Sequence, residues 1–151
     1  MAWIGAAQAP AGCIFCHAFT STDDRGQFVV TRTEHAFIIL NAYPYAPGHL
    51  MVALKRHIGA MPEARVEELA DVMALVQRAV VALDAEYRPA GYNIGLNQGS
   101  AAGAGIVDHL HMHVVPRWNG DANFISVVGE VRVLPETLDR TWERVRSRLG
   151  G

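Results

Sequence analysis

The chain has 151 residues, half of them hydrophobic, and a formal net charge of -2. That is enough apolar material for one globular domain, and it provides no broad positive field to hold a nucleic-acid backbone. Met1 to Gly12 has neither a basic start nor a long apolar run, so the sequence predicts a cytoplasmic protein without a membrane partner, 1–12 being a flexible N-terminal segment before the single domain.

Taken in chain order, the first feature is Cys13-Ile14-Phe15-Cys16, which holds both cysteines. The spacing reads as a metal clip or a redox pair before it reads as a disulfide framework. A redox pair normally opens a helix in a strand-helix-strand setting, which Phe15 to Asp23 does not suggest.

Strand-like runs follow at Phe28 to Arg32, Ala36 to Leu40 and Leu50 to Leu54, separated by the turn-rich Thr33-Glu34 and Asn41 to Gly48. After Pro62, the residues Val66, Leu69, Ala70, Met73, Val76, Val80 and Leu83 recur at threes and fours, which predicts a long helix ending near Tyr87. Tyr92, Ile94 and Leu96 alternate with Asn93, Gly95 and Asn97 as in a strand with one buried face, and Gly99 to Gly105 must be a loop. A further strand is expected from His109 to Val115, ended by Pro116. Pro135 opens a last amphipathic helix carrying Leu138, Trp142, Val145 and Leu149. The order of elements predicts an α+β fold, an antiparallel sheet with its helices on one face.

The most informative segment is Asp108-His109-Leu110-His111-Met112-His113-Val114-Val115. Side chains two apart on a strand share a face, so the three imidazoles project together while Leu110, Met112 and Val114 enter the core. Packing gives no reason to align three titratable rings, whereas metal binding or proton and phosphoryl chemistry does. Same-face positions lie about 7 Å apart, too far for all three to reach one ion with ease. The small residues of Asn97-Gln98-Gly99-Ser100-Ala101-Ala102-Gly103-Ala104-Gly105 would let backbone N–H groups approach an anion beside the histidines.

This histidine pattern resembles the histidine triad (HIT) family of nucleotide hydrolases and transferases. The likeness extends to Cys13-Ile14-Phe15-Cys16, to Asn41-Ala42-Tyr43-Pro44-Tyr45-Ala46-Pro47-Gly48-His49 and to Arg56-His57-Ile58. His109 to Trp118 followed by Gly120-Asp121-Ala122-Asn123-Phe124 is most similar to the diadenosine tetraphosphate phosphorylases of actinobacteria. The resemblance implies a HIT-like fold with a long central helix and a C-terminal helix, usually a homodimer.

It further implies His111 as nucleophile on the α-phosphorus of a nucleotide, helped by His113 at the phosphate oxygens and by His109. Asn41 would sit near the ribose, with Ile39 and Leu40 either flanking the base or simply in the core. Asn97 and the backbone of Gly99, Ala104 and Gly105 would complete the substrate site. His49 would either reach the same pocket or stand as a turn-edge histidine, and Arg117 and Asn123 would either touch a distal phosphate or lie on the surface. His57 and His109 would join Cys13 and Cys16 around a structural zinc, as in zinc-binding relatives. The partners implied are a nucleotide or dinucleoside polyphosphate, with inorganic phosphate as co-substrate of a phosphorolysis that yields ADP and ATP. Hydrolysis of dinucleoside polyphosphates or of nucleoside phosphoramidates is the alternative chemistry, and a nucleotide-binding adapter or a zinc-stabilised structural domain the alternative class. Many family members carry Gln followed by Ser or Thr shortly before the triad, where this chain has Gly105-Ile106, so no side-chain hydroxyl assists the leaving group there.

Overall fold

A computed structural model of the protein describes residues 12–122 and 135–150. Within them a five-stranded antiparallel sheet is built from β1 (Val29–Arg32), β2 (Ala36–Leu40), β3 (Leu50–Leu54), β4 (Gly91–Gly95) and β5 (His111–Arg117), in the order β1-β2-β3-β5-β4. Three helices accompany it, α1 (Ile14–Thr20), α2 (Val66–Tyr87) and α3 (Leu138–Leu149). None is long and apolar enough to cross a membrane. The α+β class read from the sequence is the one observed.

On one sheet face Ile38, Leu40, Leu50, Val52, Leu54 and Val114 pack against Leu75, Val76, Ala79 and Leu83 of α2 and Val145 and Leu149 of α3. On the other, Phe15 and Ala18 of α1 cover Val29, Phe37, Ile39, Met51 and Ala53. Burial on both faces explains why β2 and β3 read as unbroken apolar runs rather than alternating ones.

The expectation of helices on one face therefore fails at α1. This seven-residue helix is too short to show a repeating apolar stripe, and it buries only Phe15 and Ala18. Phe28 stands before β1 rather than in it, because its φ of 56° is left-handed. In β4 the expected buried face is incomplete: Ile94 is 45% exposed, since β4 lies at the sheet edge.

β5 begins two residues later than expected and runs through Pro116. His109 and Leu110 precede it, and the Leu110 N–H donates to the Ile58 carbonyl at 2.7 Å. Pro116 is tolerated because the Arg117 carbonyl faces β4, accepting from Ala90 N–H at 2.8 Å, so the donor that Pro116 lacks would point toward β3. Pairing with β3 has already stopped at Val114. The expectations for residues 1–11, Asn123 and Phe124 fall outside the described residues.

Candidate functional site

Met51 pairs with His113 and Ala53 with His111, which places both imidazoles on the α1 face of the sheet, while Leu110 and Val114 join the core under α2. His109, just before the strand, also turns toward α1: Phe15 lies 5.1 Å from its ring and 4.7 Å from that of His111. His111 and His113 stand 5.1 Å apart, centroid to centroid.

Each ring has a partner that sets its tautomer. His109 Nε2 lies 2.6 Å from the Leu54 carbonyl oxygen. A carbonyl only accepts, so Nε2 carries the proton and Nδ1 keeps its lone pair. His111 is arranged the opposite way, with Nδ1 donating to the His109 carbonyl at 2.8 Å and Nε2 left as the lone-pair nitrogen. At His113 the proton assignment passes through His49. Tyr45 N–H donates to His49 Nδ1 at 3.0 Å, so the His49 proton is on Nε2, and this N–H donates to His113 Nδ1 at 3.0 Å. The proton of neutral His113 is then on Nε2.

Burial lowers the pKa of all three rings from the ordinary imidazole range. For His113, burial and then the neighbouring His111 push it down to about 4. At neutral pH the row is therefore uncharged: His111 offers a lone pair and His113 an N–H donor.

His109 Nδ1 faces the two cysteines. It lies 3.2 Å from Cys13 Sγ, 3.6 Å from Cys16 Sγ and 3.3 Å from His57 Nδ1, and Cys16 Sγ is 3.4 Å from His57 Nδ1. The four ligand atoms all fall within 4.8 Å of one another. Around a tetrahedral zinc, with bonds of about 2.3 Å to sulfur and about 2.0 Å to nitrogen, neighbouring ligand atoms stand about 3.3 to 3.8 Å apart. The donor set and spacing fit such an ion, and the His109 Nε2–H bond to Leu54 is the kind of outer contact that holds a metal-binding imidazole in place.

The remaining expected residues divide. Asn41 is buried against His49, its Nδ2 3.4 Å from His49 Nε2 and its Oδ1 accepting from Tyr43 N–H at 2.8 Å. Ile39 and Leu40 are core residues in opposite clusters. Asn97 is exposed, with Nδ2 reaching the Gly103 carbonyl at 3.5 Å. Ala104 N–H donates to the Gly99 carbonyl at 3.3 Å, so the stretch from Gly99 to Gly105 is a loop that closes on itself around a turn at Ser100–Ala102. Ile106 packs into the Phe15 cluster. The Arg117 guanidinium is bidentate to Asp121 at 2.6 and 2.8 Å and donates to Asn93 Oδ1 at 2.6 Å, so three of its five N–H donors are engaged within the fold.

Two participants escape sequence reasoning. Tyr45 contributes its backbone N–H and places its ring 4.6 Å from that of His49; its only signal is a place between two prolines. Phe15 is marked solely by lying between the cysteines.

Sheet order, histidine row and cysteine-histidine cluster together describe a histidine triad fold, and comparison with known proteins agrees. The HIT domain family profile matches residues 23–120, and the chain belongs to that family. An AP-4-A phosphorylase of Mycobacterium tuberculosis is 44% identical over 120 residues, covering 80% of this chain and 61% of that protein; the chain thus spans less than two thirds of its relative's length. An adenosine 5'-monophosphoramidase of Schizosaccharomyces pombe is 28% identical over 137 residues, which is 91% of this chain and 98% of that one. Among solved structures, a zinc-bound histidine triad family protein of Mycobacterium smegmatis superposes with a TM-score of 0.73 at 29% identity, covering 92% of this chain and 94% of its own.

Proposed function

We propose that the protein is a nucleotidyl-transferring enzyme that works through a covalent nucleotidyl-His111 intermediate, its favoured reaction being phosphorolysis of diadenosine tetraphosphate. The observation that carries this reading is the pair of opposite tautomers on neighbouring strand positions, a lone pair at His111 Nε2 beside an N–H at His113 Nε2. In the first step His111 Nε2 attacks an α-phosphorus, the bond from that phosphorus to the bridging oxygen breaks, and ATP leaves. His113 donates to the phosphoryl oxygens as charge moves onto them. In the second step an oxygen of inorganic phosphate attacks the same phosphorus, the phosphorus-nitrogen bond breaks and ADP is released with His111 restored. Asn41, Asn97, His49 and the backbone of Gly99, Ala104 and Gly105 form the substrate site in this reading; binding would require the loop to release the Ala104 N–H from Gly99. Ile106 offers no hydroxyl to the leaving group, and ATP leaves as an anion that needs none.

Cys13, Cys16, His57 and His109 would hold a structural zinc, tying α1 and the segment after β3 to the entry of β5. His109 serves the metal in this arrangement, and helps the chemistry through its carbonyl at His111. Similarity to the M. tuberculosis phosphorylase supports the choice of substrate, and the zinc-bound M. smegmatis structure supports the metal. A cytoplasmic homodimer completes the reading. The dimer is supported by the exposed apolar side chains Val66, Met73 and Val81 on α2 and by Ile94 on the sheet edge.

A second reading, hydrolysis of nucleoside phosphoramidates, shares the first step and is favoured by the near full-length match to the S. pombe enzyme. The test is incubation of purified protein with diadenosine tetraphosphate, with and without phosphate, and with His111→Asn as control. ADP plus ATP formed only with phosphate supports phosphorolysis. AMP plus ATP in both conditions means hydrolysis. No turnover of this substrate but release of AMP from adenosine phosphoramidate selects the second reading.

A further inference from the structure

We propose that Phe15 is a positioning residue for His111, its ring forming the wall that keeps the imidazole oriented with Nε2 toward the site. The inference rests on the reading of His111 as the nucleophile. Among the described residues His111 makes one hydrogen bond, from Nδ1 to the His109 carbonyl. The terminal torsion of a histidine side chain is broad and nearly two-fold, so one bond at one ring edge leaves tilt and flip weakly restrained. Its neighbours are better held: His109 by Leu54 and the cysteine cluster, His113 by His49 at Nδ1 with the Tyr45 ring parallel to it within 19°.

Besides the edge-on His113 ring at 5.1 Å, the aromatic ring against His111 is that of Phe15, nearer at 4.7 Å. The phenyl ring is fully buried, lies 4.7 Å from the His111 ring centroid at 42°, and is backed by Phe37 at 6.5 Å. It also touches His109 at 5.1 Å, so one flat side chain spans both rings. Its own position is fixed from both sides along the chain, because Cys13 and Cys16 flank it and both approach His109. A residue needed only to fill the cluster could be any aliphatic of similar size; restraining a ring's tilt calls for a planar face.

The test compares Phe15→Leu with Val29→Ala, which removes volume from the same apolar cluster; Phe15→Met is made alongside in case the leucine variant does not fold. Thermal midpoint, kcat and KM are measured, together with the ring nitrogen shifts of His111 by long-range proton-nitrogen NMR. The Phe15 variants are expected to lose about tenfold in kcat with KM within about twofold, and their His111 shifts should move from single-tautomer values toward the average. Val29→Ala should lose stability while keeping parental kcat and shifts. Parental kcat and shifts in the Phe15 variants would overturn the proposal, as would equal losses in Val29→Ala. If the parent turns over no nucleotide at all, the nucleophile reading fails, and the shifts alone still decide whether Phe15 orients the ring.

Discussion

His49 Nε2 lies 3.0 Å from His113 Nδ1, and because the other His49 nitrogen accepts from Tyr45 N–H, the shared proton belongs to His49. A buried histidine from the loop just before β3 thus dictates which nitrogen of a neighbour on β5 faces the site. His49→Leu removes that donor and frees His113 to carry its proton on either nitrogen. It is expected to lower kcat by about tenfold to a hundredfold, whereas His49→Gln, whose amide can still donate, should retain most activity. Steady-state kinetics on the substrate identified for the parent enzyme decides it, and a kcat for His49→Leu within twofold of the parent would show that the tautomer of His113 is set otherwise.

The cysteine-histidine cluster predicts about one zinc per chain by elemental analysis, since four ligands complete a structural site. Cys13→Ala and Cys16→Ala should each abolish stoichiometric binding, and chelation should lower the thermal midpoint because the ion joins segments distant in sequence. A chain purified with zinc in the medium and carrying none, at an unchanged midpoint with added chelator, removes the metal from the mechanism.

Much of this site could be read from the sequence because its parts follow period-two and short-spacing rules. The alternation from His109 to His113 put the right faces together, and the spacing of the cysteines named half of the candidate ligand set. Strands β2 and β3 and the span of α2 were equally legible, since apolar runs and a 22-residue helix are long signals, but the face was not: of the expected stripe Val66 and Met73 are exposed, and Val72, Leu75, Ala79 and Ala82 are buried beside Val76 and Leu83. What escaped depends on tertiary partners. His109 reads as a strand residue, and only the Ile58 and Leu54 carbonyls show that it stands outside β5. Pro116 reads as a stop, and only the short reach of β3 beside it lets the strand continue. Helix α1 buries two residues, too few to leave a pattern, although one of them is the ring on which His111 rests.

Glu68 is buried at the start of α2, between Arg56, which donates to both its oxygens at 2.9 and 2.8 Å, and Arg65, whose N–H and guanidinium add bonds at 2.8 and 3.1 Å. The Arg56 hydrogen bonds, followed by those of Arg65, hold its carboxyl far below the usual range. A carboxylate depressed in the folded state contributes stability above its unfolded pKa of about 4.3 and loses that contribution as pH falls toward the folded value. Glu68→Gln should therefore cost about 1–3 kcal/mol at pH 7, with the gap to the parent constant down to about pH 5 and narrowing below it. Urea unfolding across that range measures it. A gap independent of pH down to pH 3 would mean that the amide fails for steric reasons rather than for lack of charge.

Gly48 is the point where backbone conformation, core packing and the site meet. Its φ of +78° disfavours any side chain, and a Cβ there would lie 2.8 Å from Leu83 Cδ2, 3.3 Å from Tyr87 Cε2 and 3.4 Å from Pro116 Cγ. Alanine must therefore both strain the turn and push α2 and β5 away from the loop that delivers His49. The expected cost is about 1–3 kcal/mol, which for a chain of this size lowers the thermal midpoint by about 2–12 °C. Because the displaced residue precedes His49, kcat should fall as well, with the His113 ring nitrogen shifts moving in the same direction as in His49→Leu. Stability lost with unchanged kcat and shifts would show that His49 is held by its side-chain partners, the Tyr45 N–H among them, and is indifferent to the turn that presents it.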